Sequence, residues 1–360
     1  MRSEDLAGQS KRIFIDFVQM KSFAESPMIL ADGDGIHVTD VDGKRYMDGL
    51  SGVMVCNLGY GNERIINAIS EQLRRLQFSM PMYATNELAL ELSRQMADIT
   101  PAQYNTVKFL SGGSEATEAS MKMARQYHRQ TGHPNKYKII SRYWAYHGGT
   151  MGALAASGGA SRKQFYEPYA TGYVHVPPPF CYRCPYGLER PACGIACAKA
   201  VEEFMKGEGP ETVAAIIAEP VIVSGDGFVV PPDEYFPILR DICDRYNVLL
   251  ILDEIITGLG RLGAMWGAET VGAWPDIFAA GKGMSAGYYP LSVVVLSDTV
   301  AEAFWGDPEE DVQFHAGHTY GSNPVAGAAG IAAIGELVEN DFPNRVRELG
   351  EHMMGRLETL

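Results

Sequence analysis

Basic residues are in deficit: 30 Lys and Arg stand against 44 Asp and Glu, a formal net charge of −14. A surface of that sign repels a phosphate backbone or an anionic bilayer, so neither nucleic acid nor a membrane is an expected partner. Long apolar runs are also missing. The densest, residues 248–252, is far short of the ~20 residues needed to cross a bilayer. The opening stretch, residues 1–20, alternates charged and apolar side chains and has no apolar core followed by a small-residue cleavage site. No secretion signal is read there, and a cytoplasmic location is expected. Cysteine is scarce, with six in 360 residues, too few for a disulfide scaffold. Low complexity and repeats of 20 to 50 residues are absent too, the 39 Gly and 20 Pro being spread along the chain.

What is present is an ordinary globular balance, 46% hydrophobic and 21% charged, in a chain long enough for two domains or one large one. Around Asp42-Gly43 the residue types alternate, which predicts a hairpin over 35–50. Apolar residues at helical spacing predict amphipathic helices over 65–78 and 87–99, the second carried by Leu88, Leu92, Met96 and Ile99. After Pro101 come short β-rich runs at 106–110, 137–141, 214–218, 248–252 and 291–296. Helical patterning lies between some of them, as at Ala116, Ala119, Met123 and Tyr127, and at Ile238, Leu239, Ile242 and Tyr246. Apolar runs with little alternation, interleaved with helices, predict an α/β fold with a mainly parallel sheet covered on both faces.

In such sheets ligands bind beyond the carboxyl ends of the strands. Four motifs fall there. Ser111-Gly112-Gly113-Ser114-Glu115-Ala116 opens a helix with two glycines, suiting a phosphate, although tight Gly turns into helices are common. Asp253 and Glu254 follow a buried strand, where a carboxylate needs a cation or donors. Lys282 stands among small residues in Ala279-Ala280-Gly281-Lys282-Gly283-Met284, leaving room for a planar partner. Tyr146, His147 and Gly148 offer an aromatic face beside a glycine turn. Each has a bland alternative: a turn, a capped strand end, a surface lysine, core aromatics. Together they are what pyridoxal phosphate requires: a phosphate cradle, an acid for the pyridine nitrogen, a stacking ring and a lysine for the Schiff base.

Those residues also carry a family resemblance. The stretch from Leu250 to Gly258 with Lys282, together with Ser111 to Ala116, Tyr146-His147-Gly148, Glu219-Pro220 and Gly317 to Pro324, resembles class III, ω-type aminotransferases of pyridoxal phosphate fold type I. The resemblance runs from about residue 30 to 340. It implies Lys282 as the Schiff-base lysine, Asp253 as partner of the pyridinium, and Gly113 and Ser114 as phosphate ligands. Tyr146 would lie on one face of the cofactor ring and Ile255 on the other. Glu219 resembles the family glutamate near the cofactor, and Thr319 the threonine that completes the phosphate site of a neighbouring subunit, which implies a homodimer. His147 matches a position that is often histidine in the family, with its role left open.

The resemblance further implies a large cofactor domain over 61–330 and a small domain to which 1–60 contribute. Residues 331–360 would begin its C-terminal part, and family members usually continue for several dozen residues more, so an incomplete small domain is expected. The implied reaction is ping-pong transfer of an amino group from an ω-amino acid, a diamine or an amine to a 2-oxo acid such as pyruvate. Other fold type I chemistries, decarboxylation or amino migration, share the same cofactor residues. Two departures stand out: Leu262 replaces a customary threonine, and Ser51-Gly52-Val53-Met54 lies where ω-transaminases often carry an aromatic pocket residue.

Two rival readings remain. Gly258-Leu259-Gly260-Arg261-Leu262-Gly263 matches G-x-G-x-x-G, but five residues separate it from the strand and no strand ending in an acid follows at the required distance. Cys181-x-x-Cys184 and Cys193-x-x-x-Cys197, in a Pro- and Cys-rich insertion loop over 177–197, suggest a zinc-stabilised binding module, although the second spacing is irregular. The site itself is read as needing no metal.

Overall fold

The computed structural model describes residues 3–10, 12–223 and 228–360; positions 1, 2 and 11 of the opening stretch lie outside the described residues. The predicted hairpin forms between β2 (His37–Asp40) and β3 (Arg45–Met47), and β1 (Leu30–Asp34) adds to it antiparallel. Its turn follows from two residues. Asp40 Oδ1 accepts the backbone N–H groups of Asp42 and Lys44 at 3.0 and 2.9 Å, and Gly43 takes the left-handed conformation, φ +85°.

The main sheet has seven strands: β4 (Thr106–Leu110), β5 (Lys138–Arg142), β6 (Tyr173–Val176), β7 (Val213–Ala218), β8 (Leu249–Asp253), β9 (Ile277–Ala280) and β10 (Ser292–Leu296). Their spatial order is β4-β10-β9-β8-β7-β5-β6. Pairings from β6 through β9 are parallel, while β10 runs antiparallel to both β9 and β4. The sheet is therefore mainly parallel, as its texture predicts, and the reversal of β10 leaves β4 pointing the same way as β5, β7, β8 and β9. β1, β6 and β9 were not among the predicted strands. β6 is a four-residue edge strand, and β9, Ile-Phe-Ala-Ala, trades half its β-forming side chains for alanine.

Every residue of β7, β8, β9 and β10 is buried, so hydrophobic alternation is lost from the sequence while the two faces still divide. Ile217, Ile251 and Val294 pack with Ala116, Ala119 and Met123 of the helix Gly113–Gln130. Ile216, Leu250, Leu252, Val293 and Val295 share the opposite core with Leu92 and Met96 of the helix Glu87–Asp98 and with Leu239 and Ile242 of the helix Tyr235–Tyr246. A small-residue helix, Pro324–Glu339, is buried along most of its length. Its glycines permit the approach: a Cβ on Gly330 would come within 2.7 Å of Leu291 and 3.0 Å of Leu92. Gly330→Val is accordingly expected to cost ~1–3 kcal/mol through overpacking, read as a lower urea midpoint. An unchanged midpoint would contradict this packing.

Candidate active site

Because β4, β5, β7, β8 and β9 share one direction, their carboxyl ends meet along one edge of the sheet. Each delivers one part of a cavity of about 170 Å³. β4 leads to Gly113 and Ser114, β5 to Tyr146, His147 and Gly148, β7 to Glu219, β8 to Asp253 and Ile255, and β9 to Lys282, all of which line it. Eight of the nine predicted residues thus converge. Thr319 does not line this cavity; it lies exposed in the segment before Asn323. Val221, Ile256 and Thr257 complete the lining and were not singled out from the sequence, although Ile256 and Thr257 lie within the stretch that carries the resemblance.

The helix Gly113–Gln130 begins at Gly112 without a side-chain cap, so its positive end faces the cavity. Ser114 Oγ accepts the N–H of Gly149 at 2.9 Å, and Gly148, at φ +138°, leaves no room for a Cβ, which would fall 2.5 Å from Ser114 Oγ. Asp253 is buried; its Oδ1 accepts the N–H of Ile255 at 3.1 Å and its Oδ2 faces His147 Nδ1 at 2.8 Å. Since an ionised carboxylate only accepts, Nδ1 carries the hydrogen. Lys282 opens a 3₁₀ turn with φ +44°, a conformation lysine seldom adopts and one that accumulates at functional sites. Burial lowers its ammonium below the ordinary lysine range and nearby Arg261 adds to this, against the pull of Asp253 and Glu219. The neutral, nucleophilic amine is thereby favoured.

Strand alternation sends the next acid the other way. Glu254 accepts the N–H groups of Gly267 and Ala268 at 3.0 and 2.7 Å and the hydroxyl of Thr257 at 2.5 Å. Full burial outweighs those three donors and pushes its carboxyl up to about 7. An acid whose folded value is raised binds more protons folded than unfolded, so stability falls as pH rises from about 4.5 through 7. Urea unfolding from pH 5 to 8 is expected to show this slope in the native chain and to show it diminished in Glu254→Gln; identical slopes would refute the assignment.

The rival motifs do not assemble sites. The segment Gly258 to Gly263 forms turns with Leu259, Gly260 and Gly263 at positive φ, and opens no helix for a dinucleotide. Cys181, Cys184, Cys193 and Cys197 line one small cavity of about 30 Å³, but among the described residues no group of three or more His, Cys, Asp or Glu side chains is placed to hold a metal ion.

A model of the class III aminotransferase family matches residues 20–360. The chain belongs to that family. Among its relatives, the adenosylmethionine-8-amino-7-oxononanoate aminotransferase of Geobacter sulfurreducens is 36% identical, over 97% of this chain and 78% of its own length. The putrescine–pyruvate aminotransferase of Pseudomonas aeruginosa is 32% identical, over 96% of this chain and 75% of its own. The solved structure of an amine transaminase from an uncultivated Pseudomonas species, with pyridoxal phosphate bound, has a TM-score of 0.93 at 32% identity and covers 96% of this chain and 79% of that one. The fold is that of pyridoxal phosphate fold type I.

Class III aminotransferases depend on pyridoxal 5′-phosphate. The aminotransferase described here fits that group on observations of its own: an uncapped helix end beside two glycines, a buried acid, and a half-buried lysine across one cavity. His147 Nε2, buried without a hydrogen-bond partner, shows in addition that the polar wall is not closed on itself.

Proposed function

We propose that this aminotransferase moves the amino group of an ω-amino acid, a diamine or an amine to a 2-oxo acid such as pyruvate, with Lys282, Asp253 and Glu219 as its catalytic residues. The carrying observation is the delivery of Lys282, Asp253 and the Gly113–Ser114 helix start to one cavity by separate strands. The donor class is supported by relatives named for putrescine, taurine and β-alanine, each with pyruvate. Gly113 and Ser114 would hold the cofactor's phosphate, Tyr146 and Ile255 its ring, Asp253 its ring nitrogen and Lys282 its aldehyde carbon. Bound there, pyridoxal phosphate would supply an electrophilic carbon and a ring that takes up negative charge. Lys282 Nζ would carry the proton from the donor's amine-bearing carbon to the cofactor's aldehyde-derived carbon, acting first as base and then as acid. Tyr146 and Ile255 wall that proton from water.

Thr319 acts in this reading on the cavity of a second copy, making the working unit a homodimer. Support comes from its neighbourhood: Phe78 packs edge-on to Tyr320 at 6.1 Å, and Phe78, Met80, Met82, Tyr83 and Tyr320 are all exposed. A division into a cofactor domain over 61–330 and a small domain with parts in 1–60 and from 331 is supported by the separate three-stranded sheet at the N-terminus; the helix Pro324–Glu339 runs across the second boundary. Cytoplasmic residence is supported by six free cysteines, and no helix among the described residues is long and apolar enough to cross a membrane. The test is incubation with pyruvate and a panel of putrescine, β-alanine, taurine and a simple amine, scoring alanine. Cofactor bleaching without alanine from any donor would overturn the proposed reaction.

A further inference from the structure

The wall of the cavity that holds Glu219, His147 and Asp253 continues inward to a buried cation, Arg142, that the chemistry above does not use. Arg142, the last residue of β5, has a side chain only 2% exposed and lies near the rings of Tyr235 and Phe236, 6.0 and 5.7 Å from their centroids. Its Nη2 donates to the backbone carbonyl of Glu219 at 2.5 Å and approaches Glu219 Oε2 at 3.2 Å. The other carboxylate oxygen, Oε1, accepts the N–H of Tyr146 at 3.0 Å. Next in line is His147, whose imidazole is fully buried and lies between two carboxylates: Nδ1 is 2.8 Å from Asp253 Oδ2, and Nε2 is 3.9 Å from Glu219 Oε2 with no hydrogen-bond partner. A buried ring flanked by two acids can be drawn to either, and among the described residues the one guanidinium paired with either acid, Arg142, stands on the Glu219 side.

We propose that Arg142 is a positioning residue: it occupies the Glu219 carboxylate so that His147 stays committed to Asp253, holding that acid in place for the cofactor's ring nitrogen. The proposal rests on the reading of Asp253 as the ring-nitrogen partner. Without the guanidinium, an uncompensated Glu219 competes for the imidazole. A carboxylate deprived of its buried counter-ion is costly, and the nearest cationic or protonatable group is the one it recruits. Charged and titratable groups acting on the line are Arg142, Glu219 and Asp253, with His175 near His147 and Lys282 acting on both acids.

The experiment is a double-mutant cycle on the holoenzyme, using Arg142→Gln alone and in a Glu219→Gln background, with circular dichroism to establish folding. Two quantities are read: the dissociation constant for pyridoxal 5′-phosphate and the pH midpoint of the bound cofactor's visible band. In the native background, R142Q should weaken cofactor binding about tenfold or more and move the midpoint upward by about one unit, because an unbalanced anion favours protonated forms. In the E219Q background the same change should alter binding by less than about threefold and leave the midpoint in place. Equal effects in both backgrounds, or none in the native one, would overturn the proposal, since a purely structural arginine acts alike with or without the acid. R142K keeps the charge and should retain the native midpoint; should R142Q not fold, a folded R142K with a displaced midpoint overturns the proposal. A D253N protein whose band titrates like the native one would instead defeat the ring-nitrogen reading, so the two failures are distinct.

Discussion

Lys282→Ala is expected to lower alanine formation by at least about 10³-fold while leaving the fold intact. Two roles end together, since the same amine is proposed to hold the cofactor and to move the proton, and positioned proton transfer alone is worth ~10²–10⁴-fold. The fold should tolerate the change because Lys282 belongs to no ion pair among the described residues and its positive φ is a strain rather than a support. The measurement is steady-state alanine production together with a borohydride trap, which in the native protein should fix the cofactor to the chain. A variant that retained more than a tenth of native turnover, or still became labelled at another lysine, would remove Lys282 from its proposed role.

Asp253→Asn is the second large effect, expected at about 10²–10³-fold in turnover, comparable to losing one preorganised electrostatic contact in other enzymes. Asparagine nearly matches the shape: its one amide oxygen can still accept the N–H of Ile255, while its NH2, which only donates, can meet His147 Nδ1 once the ring takes the other tautomer; both residues are now bound to Asp253. What it lacks is negative charge at the point where the ring nitrogen would lie. The loss should therefore appear in turnover with little change in thermal midpoint. A stability loss matching the rate loss would mean that Asp253 merely supports the strand end. Buried charges this close to others rarely act singly, and the Arg142 cycle tests how far the Asp253 effect is shared.

Much of this site was legible without coordinates, for a reason visible in particular residues. Gly113-Ser114, Tyr146-His147, Glu219, Asp253 and Lys282 all stand at or shortly after strand ends, and a strand end is marked locally by where an apolar run stops. The order of the strands is not marked locally. That β10 enters antiparallel, bringing Ser292 Oγ to the carbonyl of Gly112 at 2.9 Å beside the helix start, depends on pairings between residues about 180 positions apart. β9 escaped notice because Ala279 and Ala280 carry little β preference; its place is secured by full burial between β8 and β10. Arg142 escaped because a lone arginine after an apolar run resembles any surface cation, and only the fold reveals that it is sealed beneath Tyr235 and Phe236.

The sequence by itself determined which side chains could do chemistry and where the strongly patterned strands and helices lie, since those properties depend on residue type and on neighbours a few positions away. Tertiary structure alone decided that five strand ends share one edge, that Glu254 turns from the cavity while Asp253 enters it, that Thr319 stays outside it, and that His147 lies between two acids. Those are matters of direction and distance between remote parts of the chain, and they are set by how buried faces pack.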